Sequence, residues 1–210
     1  MSELVDDITL GTLSVVANNA MNRTRDLAAY RRALRIDPVA ELGPAGWLDL
    51  CCGSGRALVE AARPGRRLVG VDLVDFFAPR PPEVEFHVAG LADWAPEAPF
   101  DLITCVHGLH YIGDKLGVLA RIAQWLTPDG VFVADFDAAG VRGPDGRSLG
   151  RHLTSALLAA GFTYDAGTKR ISRRGYAEVE FPFTYLGADP DAGRNYTGQE
   201  AVAAHYAING

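Results

Sequence analysis

The chain has 210 residues, of which 48% are hydrophobic and 22% are charged, and its formal net charge is −6. This composition excludes a disordered or collagen-like chain, and the length suits one domain with a full hydrophobic core. No apolar run reaches the ~20 residues of a membrane helix, and the acidic start of the chain is not typical of a signal peptide. Net acidity argues against nucleic-acid binding through bulk positive charge. We therefore expect a single-domain, cytoplasmic protein without a membrane segment.

Residues 1–45 precede the first predicted strand, and one helix is predicted among them, over residues 22–36. This helix carries five arginines. Its apolar positions are Leu27, Ala28 and Leu34. A solvated helix face is the more typical role of such arginines, although an anionic ligand is the alternative. We interpret residues 1–45 as a helical cap on a core of residues 46–210.

From Trp47 onwards, apolar strands alternate with amphipathic helices, which is typical of an α/β sheet. The predicted strands are 47–51, 68–72, 84–88, 101–106 and 131–136. Helices are predicted over residues 56–63 and after Asp114. The Asp114 side chain is suited to cap the second of these helices. Pro128-Asp129-Gly130 is predicted to end the second of these helices. The pattern predicts a mostly parallel sheet covered by helices.

The last third of the chain departs from this alternation. Residues 137–147 are rich in glycine and are predicted to form a flexible loop of the length of a lid. A helix is expected over residues 149–160, with Ser148 as its cap and Gly161 as its left-handed end. Two strands, 162–171 and 177–186, are predicted to pair antiparallel because their connection is too short for a crossover helix.

A glycine-rich turn joins the first predicted strand to the following helix, over residues 48–57. Asp49 lies inside the strand, and Asp72 ends the next strand, roughly twenty residues downstream, where a ribose-binding carboxylate is expected. A carboxylate at Asp49 is unfavourable beside a pyrophosphate but favourable beside an ammonium group. The charges therefore favour S-adenosylmethionine, which is cationic and has no phosphate, over a dinucleotide.

The sequence resembles the class I S-adenosylmethionine-dependent methyltransferases over about residues 46–186. Four motifs carry the resemblance, in chain order: Leu48-Asp49-Leu50-Cys51-Cys52-Gly53-Ser54-Gly55; Val71-Asp72; Phe100-Asp101-Leu102-Ile103-Thr104-Cys105 with Leu109-His110-Tyr111-Ile112-Gly113-Asp114; and Leu126-Thr127-Pro128-Asp129-Gly130-Val131-Phe132. The resemblance implies a three-layer, Rossmann-like fold with a seven-stranded, mostly parallel sheet and a C-terminal antiparallel strand pair. It also implies methyl transfer to an O, N or C nucleophile of a small-molecule acceptor.

The family motifs also imply a set of cofactor-binding residues. They are Asp49, Cys51, Gly53, Gly55, Asp72, Leu73, Leu91, Ala92 and His107. Two positions depart from the family pattern. Cys51 replaces the first glycine of the loop, and Leu91 stands where an acidic residue near the adenine is common, with Asp93 two positions further on. Adenine recognition is therefore assigned to the backbone of Leu91 and Ala92.

Three residues after the fourth strand are candidates for catalysis. His107 lies where the ligands of such sheets bind, and its pKa suits either a general base or a pocket-shaping role. His110 matches a family histidine whose role is mainly structural, and Tyr111 is a weaker candidate. The three cysteines lack the spacing of metal ligands, so no metal is expected. Cys51 and Cys52 are interpreted as packing residues, because methyl transfer needs no covalent intermediate.

The family's N-terminal segment usually covers the acceptor, which places Asn18, Asn19, Asn22 and Tyr30 on that side. No Asn-Pro-Pro-Tyr-like tetrapeptide follows the fourth strand, so a small metabolite is favoured over a nucleic-acid base or a protein amide. Three alternatives stay open: intramolecular cyclisation with release of methylthioadenosine, a catalytically silent binding module, and an NAD-linked enzyme. The sequence leaves homodimerisation open.

Overall fold

The computed structural model describes residues 3–17 and 24–209. The helices are α1 (Asp7–Thr12), α2 (Leu27–Leu34), α3 (Arg56–Ala61), α4 (Lys115–Gln124) and α5 (Arg151–Ala159), with short 3-10 helices at Leu109–Tyr111 and Ala138–Gly140. The strands are β1 (Trp47–Leu50), β2 (Leu68–Asp72), β3 (Val84–Val88), β4 (Phe100–Cys105), β5 (Leu126–Asp135), β6 (Val141–Arg142), β7 (Thr163–Asp165), β8 (Arg170–Arg174), β9 (Phe183–Asp189) and β10 (Ala203–Ile208). None of the helices in these ranges has the length and apolar character needed to cross a membrane.

Seven strands form the main sheet, in the order β3-β2-β1-β4-β5-β8-β7. The first five are parallel, whereas β8 runs antiparallel to both β5 and β7. The predicted Rossmann-like, mostly parallel sheet is therefore confirmed. Because β1 pairs with β2 on one side and with β4 on the other, the strand order reverses at β1. Ligands of open α/β sheets bind at the carboxyl ends of the strands at such a reversal.

Side chains alternate between the two faces of the sheet, and each face is covered by helices. On one face Trp47 packs in a cluster with Leu34 of α2 and Leu58 of α3. On the other face Leu48 packs in a cluster with Leu119 of α4. This alternation produces the three predicted layers, and it also decides which way Asp49 points, since Asp49 shares the face of Trp47.

The antiparallel pair at the end of the main sheet consists of different strands from those predicted. The sequence predicts one strand over residues 162–171, but the chain reverses within them and produces both β7 and β8. The Asp165 carboxylate accepts hydrogen bonds from the N–H groups of Gly167 and Thr168, and Lys169 adopts a left-handed φ of 54°. The local turn chemistry therefore competes successfully with the strand propensity of this segment.

A second sheet of three strands, in the order β6-β10-β9, lies outside the prediction. It takes up part of the predicted strand 177–186, which pairs with β10 instead of with the preceding strand. The prediction of a flexible loop over residues 137–147 is also partly wrong, because β6 lies within these residues and pairs with β10. Ser148 does not cap α5, whose N-cap is Gly150, whereas Gly161 does adopt the expected left-handed conformation with a φ of 77°.

Helix α2 begins later than predicted, after the N-cap Asp26, whose side chain accepts a hydrogen bond from the N–H of Ala29 at 2.7 Å. Tyr30, which the apolar pattern leaves out, is buried with 1% of its surface exposed. Further towards the N-terminus, Leu10 of α1 packs against the second sheet. The N-terminal region thus covers the core through both helices.

Candidate functional site

A cavity of about 340 Å³ lies at the carboxyl ends of the central strands, where the sheet order predicts a ligand site. This volume is within the range of small-molecule sites, roughly 300–1,000 Å³. Its walls include Cys51 and Gly53 after β1, Asp72 at the end of β2, and His107 after β4. The structure therefore brings the residues of three separate predicted motifs into one site.

The loop after β1 is held in a strained and closely packed conformation. Cys51, Gly53 and Gly55 all have positive φ, of 54°, 59° and 67°. A Cβ atom at Gly55 would lie 2.1 Å from the ring of Phe86, so glycine is required there for space as well as for conformation. Gly55 is the N-cap of α3 and does not line the cavity, in contrast to the prediction of direct cofactor contact.

Asp72 is held rigidly at the edge of the cavity. One carboxylate oxygen accepts a hydrogen bond from the Gly53 N–H at 2.9 Å, and the other accepts from the Val74 N–H at 3.1 Å. Only 5% of Asp72 is exposed. These bonds orient the carboxylate and tie the end of β2 to the glycine loop, as expected of a group that recognises a pair of hydroxyls.

Asp49 lies beneath the glycine loop and not in the cavity. It is completely buried, and its two oxygens accept hydrogen bonds from the hydroxyl groups of Tyr30 and Thr104, each at 2.6 Å. Burial raises the pKa of Asp49 to about 7, against the opposing effect of these two hydrogen bonds. The predicted contact with an ammonium group is not supported, because α2 covers the sheet face to which Asp49 belongs.

The predicted adenine-binding residues line one side of the cavity. Leu73, Leu91 and Ala92 are all part of this wall, together with the exposed Asp93. The carbonyl oxygens of Leu91 and Ala92 accept hydrogen bonds from the Arg121 guanidinium. These bonds tie the segment to α4, which carries Arg121.

His107 occupies the position expected from its place after β4, and it lines the cavity. Its backbone has a left-handed φ of 59°. The backbone N–H donates to the buried carboxylate of Asp135 at 3.2 Å, and Nδ1 of the ring lies 3.5 Å from the same oxygen. Burial lowers the pKa of His107, while the charge of Asp135 opposes this shift. A neutral imidazole with a buried carboxylate behind it is able to accept a proton.

His110 does not reach this cavity, so its position does not support a catalytic role. It is 2% exposed and lines a smaller, separate cavity of about 60 Å³. Burial lowers the pKa of His110 to about 3, so it is neutral at physiological pH. Tyr111 does line the main cavity, where its hydroxyl donates to Gln199 at 3.1 Å.

The cysteines are placed as packing residues. The thiols of Cys51 and Cys105 are neighbours, and the interaction with Cys51 together with burial raises the pKa of Cys105 well above its usual value. Burial also raises the pKa of Cys52. Neutral, buried thiols are poor nucleophiles. Cys51 differs in that it also lines the cavity.

Three residues of the site were missed by sequence reasoning. Asp7 and Gln199 line the cavity, and Asp135 contacts His107 behind it. Asp135 could have been found from its position at the carboxyl end of β5, but the other two have no local signal. Arg25 also lines the cavity, and it is one of the five arginines for which the sequence leaves an anionic ligand open. Of the residues expected on the acceptor side, Tyr30 is buried against Asp49. The other three, Asn18, Asn19 and Asn22, lie outside the described residues.

Comparison with known proteins agrees with this geometry. Residues 22–167 match the family described as "Methyltransferase domain". Since this match covers more than half of the chain, the protein belongs to that family, and the resemblance to class I S-adenosylmethionine-dependent methyltransferases is confirmed. Membership also supports S-adenosylmethionine as the cofactor.

Particular relatives are similar over part of the chain. Trans-aconitate 2-methyltransferase from Acidovorax ebreus (strain TPSY) is 33% identical over 121 residues, which are 50% of this chain and 47% of the relative. dTDP-4-amino-2,3,4,6-tetradeoxy-D-glucose N,N-dimethyltransferase from Saccharopolyspora spinosa is 30% identical over 96 residues, 42% of this chain and 39% of the relative. The chain thus spans about half or less of the length of these curated relatives.

The fold is also similar to that of a solved structure. The N-methyltransferase NodS from Bradyrhizobium japonicum WM9, in complex with S-adenosyl-L-homocysteine, matches with a TM-score of 0.52 and 14% sequence identity. The match covers 80% of this chain and 97% of that chain. At this identity the likeness concerns the fold alone.

Proposed function

We propose that the protein transfers a methyl group from S-adenosylmethionine to a nucleophile of a small-molecule acceptor. The observation that carries the proposal is the placement of Asp72. Its carboxylate is oriented by two backbone N–H groups at the rim of a cavity, beside the glycine loop. The family match supports the same reaction.

The residues present fit this cofactor. Asp72 would accept hydrogen bonds from the two ribose hydroxyls, and Leu73 and Leu91 offer an apolar wall to the adenine. S-adenosylmethionine supplies a methyl group activated by its sulfonium. The chain's contribution is to hold the acceptor in line with that group and to exclude water, and proximity of this kind accounts for much of the rate in such reactions.

Calorimetric titration with S-adenosylhomocysteine tests the proposal. We expect Asp72→Asn to bind roughly 100-fold more weakly, because hydrogen bonds to a charged group contribute about 1.5–3 kcal/mol each. Asp75→Asn is the matched control, since Asp75 follows the same strand but does not line the cavity. Absence of binding by the unaltered protein would overturn the proposal.

The product identifies the reaction. Release of S-adenosylhomocysteine together with a methylated acceptor is expected from methyl transfer, whereas methylthioadenosine would indicate the cyclisation alternative. Binding without turnover across a broad acceptor panel would instead favour a silent binding module.

The acceptor we propose is anionic, and one residue supports this. Arg25 lines the cavity and is half-buried, and it forms no ion pair with any residue in the described part of the chain. Arg25 and His107 line the same cavity, and the positive charge of Arg25 lowers the pKa of His107. A carboxylate of the acceptor would neutralise this charge. The trans-aconitate methyltransferase relatives act on a compound of this chemical class.

Steady-state kinetics with trans-aconitate, other di- and tricarboxylates, and hydroxy- and aminocarboxylates test this assignment. We expect Arg25→Gln to raise the KM for a carboxylate acceptor at least about tenfold, the cost of one charge-assisted contact, without changing the affinity for S-adenosylhomocysteine. Arg31→Gln is the control, because Arg31 is an exposed arginine of α2 that pairs with Asp37. Weaker S-adenosylhomocysteine binding in Arg25→Gln would show that Arg25 holds the cofactor instead.

The arrangement of a cap over residues 1–45 and a core over residues 46–210, acting as one cytoplasmic domain, is also part of the proposal. It is supported by the cavity itself, which is lined from both regions by Asp7 and Asp72. Deletion of residues 1–17 is expected to reduce turnover while the core still binds S-adenosylhomocysteine.

A further inference from the structure

We propose that Asp135 and His107 form an acid–base pair in which Asp135 positions His107 to remove a proton from the acceptor. The inference rests on the proposed methyl transfer and deepens it, since it defines the nucleophile as a hydroxyl or amine that loses a proton. Asp135 lies at the carboxyl end of β5, 28 residues from His107 in the chain, and is not part of the motifs identified in the sequence.

A single oxygen of Asp135 holds His107 at two points. It accepts the backbone N–H of His107 at 3.2 Å and lies 3.5 Å from the ring Nδ1. The backbone bond stabilises the left-handed φ of 59° at the cavity wall, a conformation that costs about 1–2 kcal/mol for a residue other than glycine. The position of His107 is therefore set by Asp135 and not by the sheet alone.

The same geometry distinguishes the two ring nitrogens. Nδ1 lies against the Asp135 carboxylate, so the neutral ring carries its proton there, and Nε2 is the nitrogen left to accept a proton in the cavity. The distance of 3.5 Å is longer than a typical hydrogen bond, and catalytic contacts that are long in ligand-free enzymes often tighten in the complex with substrate. The ionised carboxylate would then stabilise the imidazolium.

Tyr196 is a further neighbour of Asp135. Burial and the negative charge of Asp135 raise the pKa of Tyr196, and the Tyr196 ring packs edge-on against His110 with 5.4 Å between centroids. Asp135 is 5% exposed. Burial raises the pKa of Asp135, while the charge on His107 lowers it. The other charged or titratable groups that act on His107 are Arg25 and His110, which is neutral.

The proposed step conserves atoms and charge. A lone pair of the acceptor oxygen or nitrogen forms the bond to the methyl carbon, and the electron pair of the methyl–sulfur bond goes to sulfur. The proton of the nucleophile passes to Nε2 of His107, and solvent takes it up after the product leaves. His107 is the catalytic residue of this step and Asp135 is a positioning residue.

Long-range ¹H–¹⁵N correlation spectra of the imidazole nitrogens test the pair without any acceptor. His107→Asn identifies the His107 signals. In the unaltered protein we expect the tautomer protonated at Nδ1. In Asp135→Asn we expect this preference to be lost and the pKa of His107 to fall, because the stabilising negative charge is gone. Asp137→Asn is the control, since Asp137 lies two residues further on and pairs with Lys169.

Kinetics provide the second measurement. With a carboxylate acceptor whose nucleophile is a hydroxyl or amine, Asp135→Asn should lower kcat roughly 100-fold or more, the range of general-base effects, with S-adenosylhomocysteine affinity unchanged. Asp135→Glu keeps the carboxylate and should recover part of the rate, which separates positioning from misfolding. An unchanged tautomer and pKa in Asp135→Asn would overturn the inference, as would a normal rate. Failure of the unaltered protein to bind S-adenosylhomocysteine would instead overturn the proposed function.

Discussion

The two halves of the cavity are built in different ways. The sheet half lies at the carboxyl ends of β1, β2, β3 and β4, and it consists of residues 51, 53, 71–73, 89–93, 106–108 and 111–113. The cap half consists of residues 7–16, Arg25 and Gln199, which come from the two ends of the chain. The first is made of loops between adjacent strands, and the second depends on contacts between distant segments.

Sequence separation quantifies this difference. In the sheet half, Gly53 and Asp72 are joined by a hydrogen bond between residues 19 positions apart. In the cap half, the hydroxyl of Tyr185 donates to Asp7 across 178 positions, and Tyr111 donates to Gln199 across 88. The cap half therefore depends on contacts between segments that are far apart in the chain.

The largest effect on stability is expected from a substitution that disrupts the sheet half. Gly55→Ala places a Cβ atom 2.1 Å from the Phe86 ring, which is held by stacking on Phe77 with 4.5 Å between centroids. We expect a loss of about 3 kcal/mol in the free energy of unfolding, from a strained φ and overpacking together. Denaturant unfolding measures it.

The matched control for this substitution is Gly65→Ala. Gly65 also has a positive φ, of 82°, but a Cβ atom added there would meet nothing within 4 Å among the described residues. We expect it to cost about 1–2 kcal/mol, from backbone conformation alone. Equal losses in the two variants would show that the contact with Phe86 does not constrain the loop.

An intermediate effect is expected when the cap half is loosened. Tyr185→Phe removes the 2.7 Å hydrogen bond to Asp7 and should weaken the attachment of α1 by about 1–2 kcal/mol. Hydrogen exchange of the amides in residues 7–12 should accelerate, while affinity for S-adenosylhomocysteine stays the same. Tyr176→Phe, which alters an exposed tyrosine bonded to Glu178, serves as the control. Loss of S-adenosylhomocysteine binding in Tyr185→Phe would mean that the two halves are coupled.

Almost no effect on cofactor binding is expected from Asp49→Asn, a substitution of a buried residue under the sheet half. We expect its affinity for S-adenosylhomocysteine to stay within about twofold, because Asp49 does not line the cavity. A loss comparable to that of Asp72→Asn would restore the motif-based assignment of Asp49 to the cofactor.

The stability of Asp49→Asn should also depend on pH differently from that of the unaltered protein. Burial raises the pKa of Asp49 from 3.8 to about 7, so the folded protein holds a proton that the unfolded chain releases. Stability from this group is complete below about pH 4 and is lost as the pH rises through 7. Asn does not titrate, so the variant should gain stability relative to the unaltered protein between pH 5 and pH 8. The same dependence of the free energy of unfolding on pH in both proteins would contradict the protonation of Asp49.

Local sequence patterns predicted most strands of the sheet half. They predicted fewer of its turns and side-chain positions. The strands around Asp49 and Asp72 and the N-cap Asp114 were correctly predicted, because spacing and capping act within a few residues. The hairpin at residues 163–174 was mispredicted, since the turn chemistry at Asp165 outweighs the strand propensity of that segment. For His110 the structure favours the structural role over the catalytic one, because its side chain is buried and lines the smaller cavity.

The amino-acid sequence by itself determined the alternating strands and helices, the glycine loop, the carboxylate at Asp72 and the methyltransferase family. These depend on backbone conformation and periodicity, which are properties of short segments. Only the tertiary structure decided that Tyr30 covers Asp49, that Asp135 lies behind His107, and that Arg25 and Gln199 enter the cavity. Those contacts join residues that are far apart in the chain, and packing brings them together only when the sheet and its cap have formed.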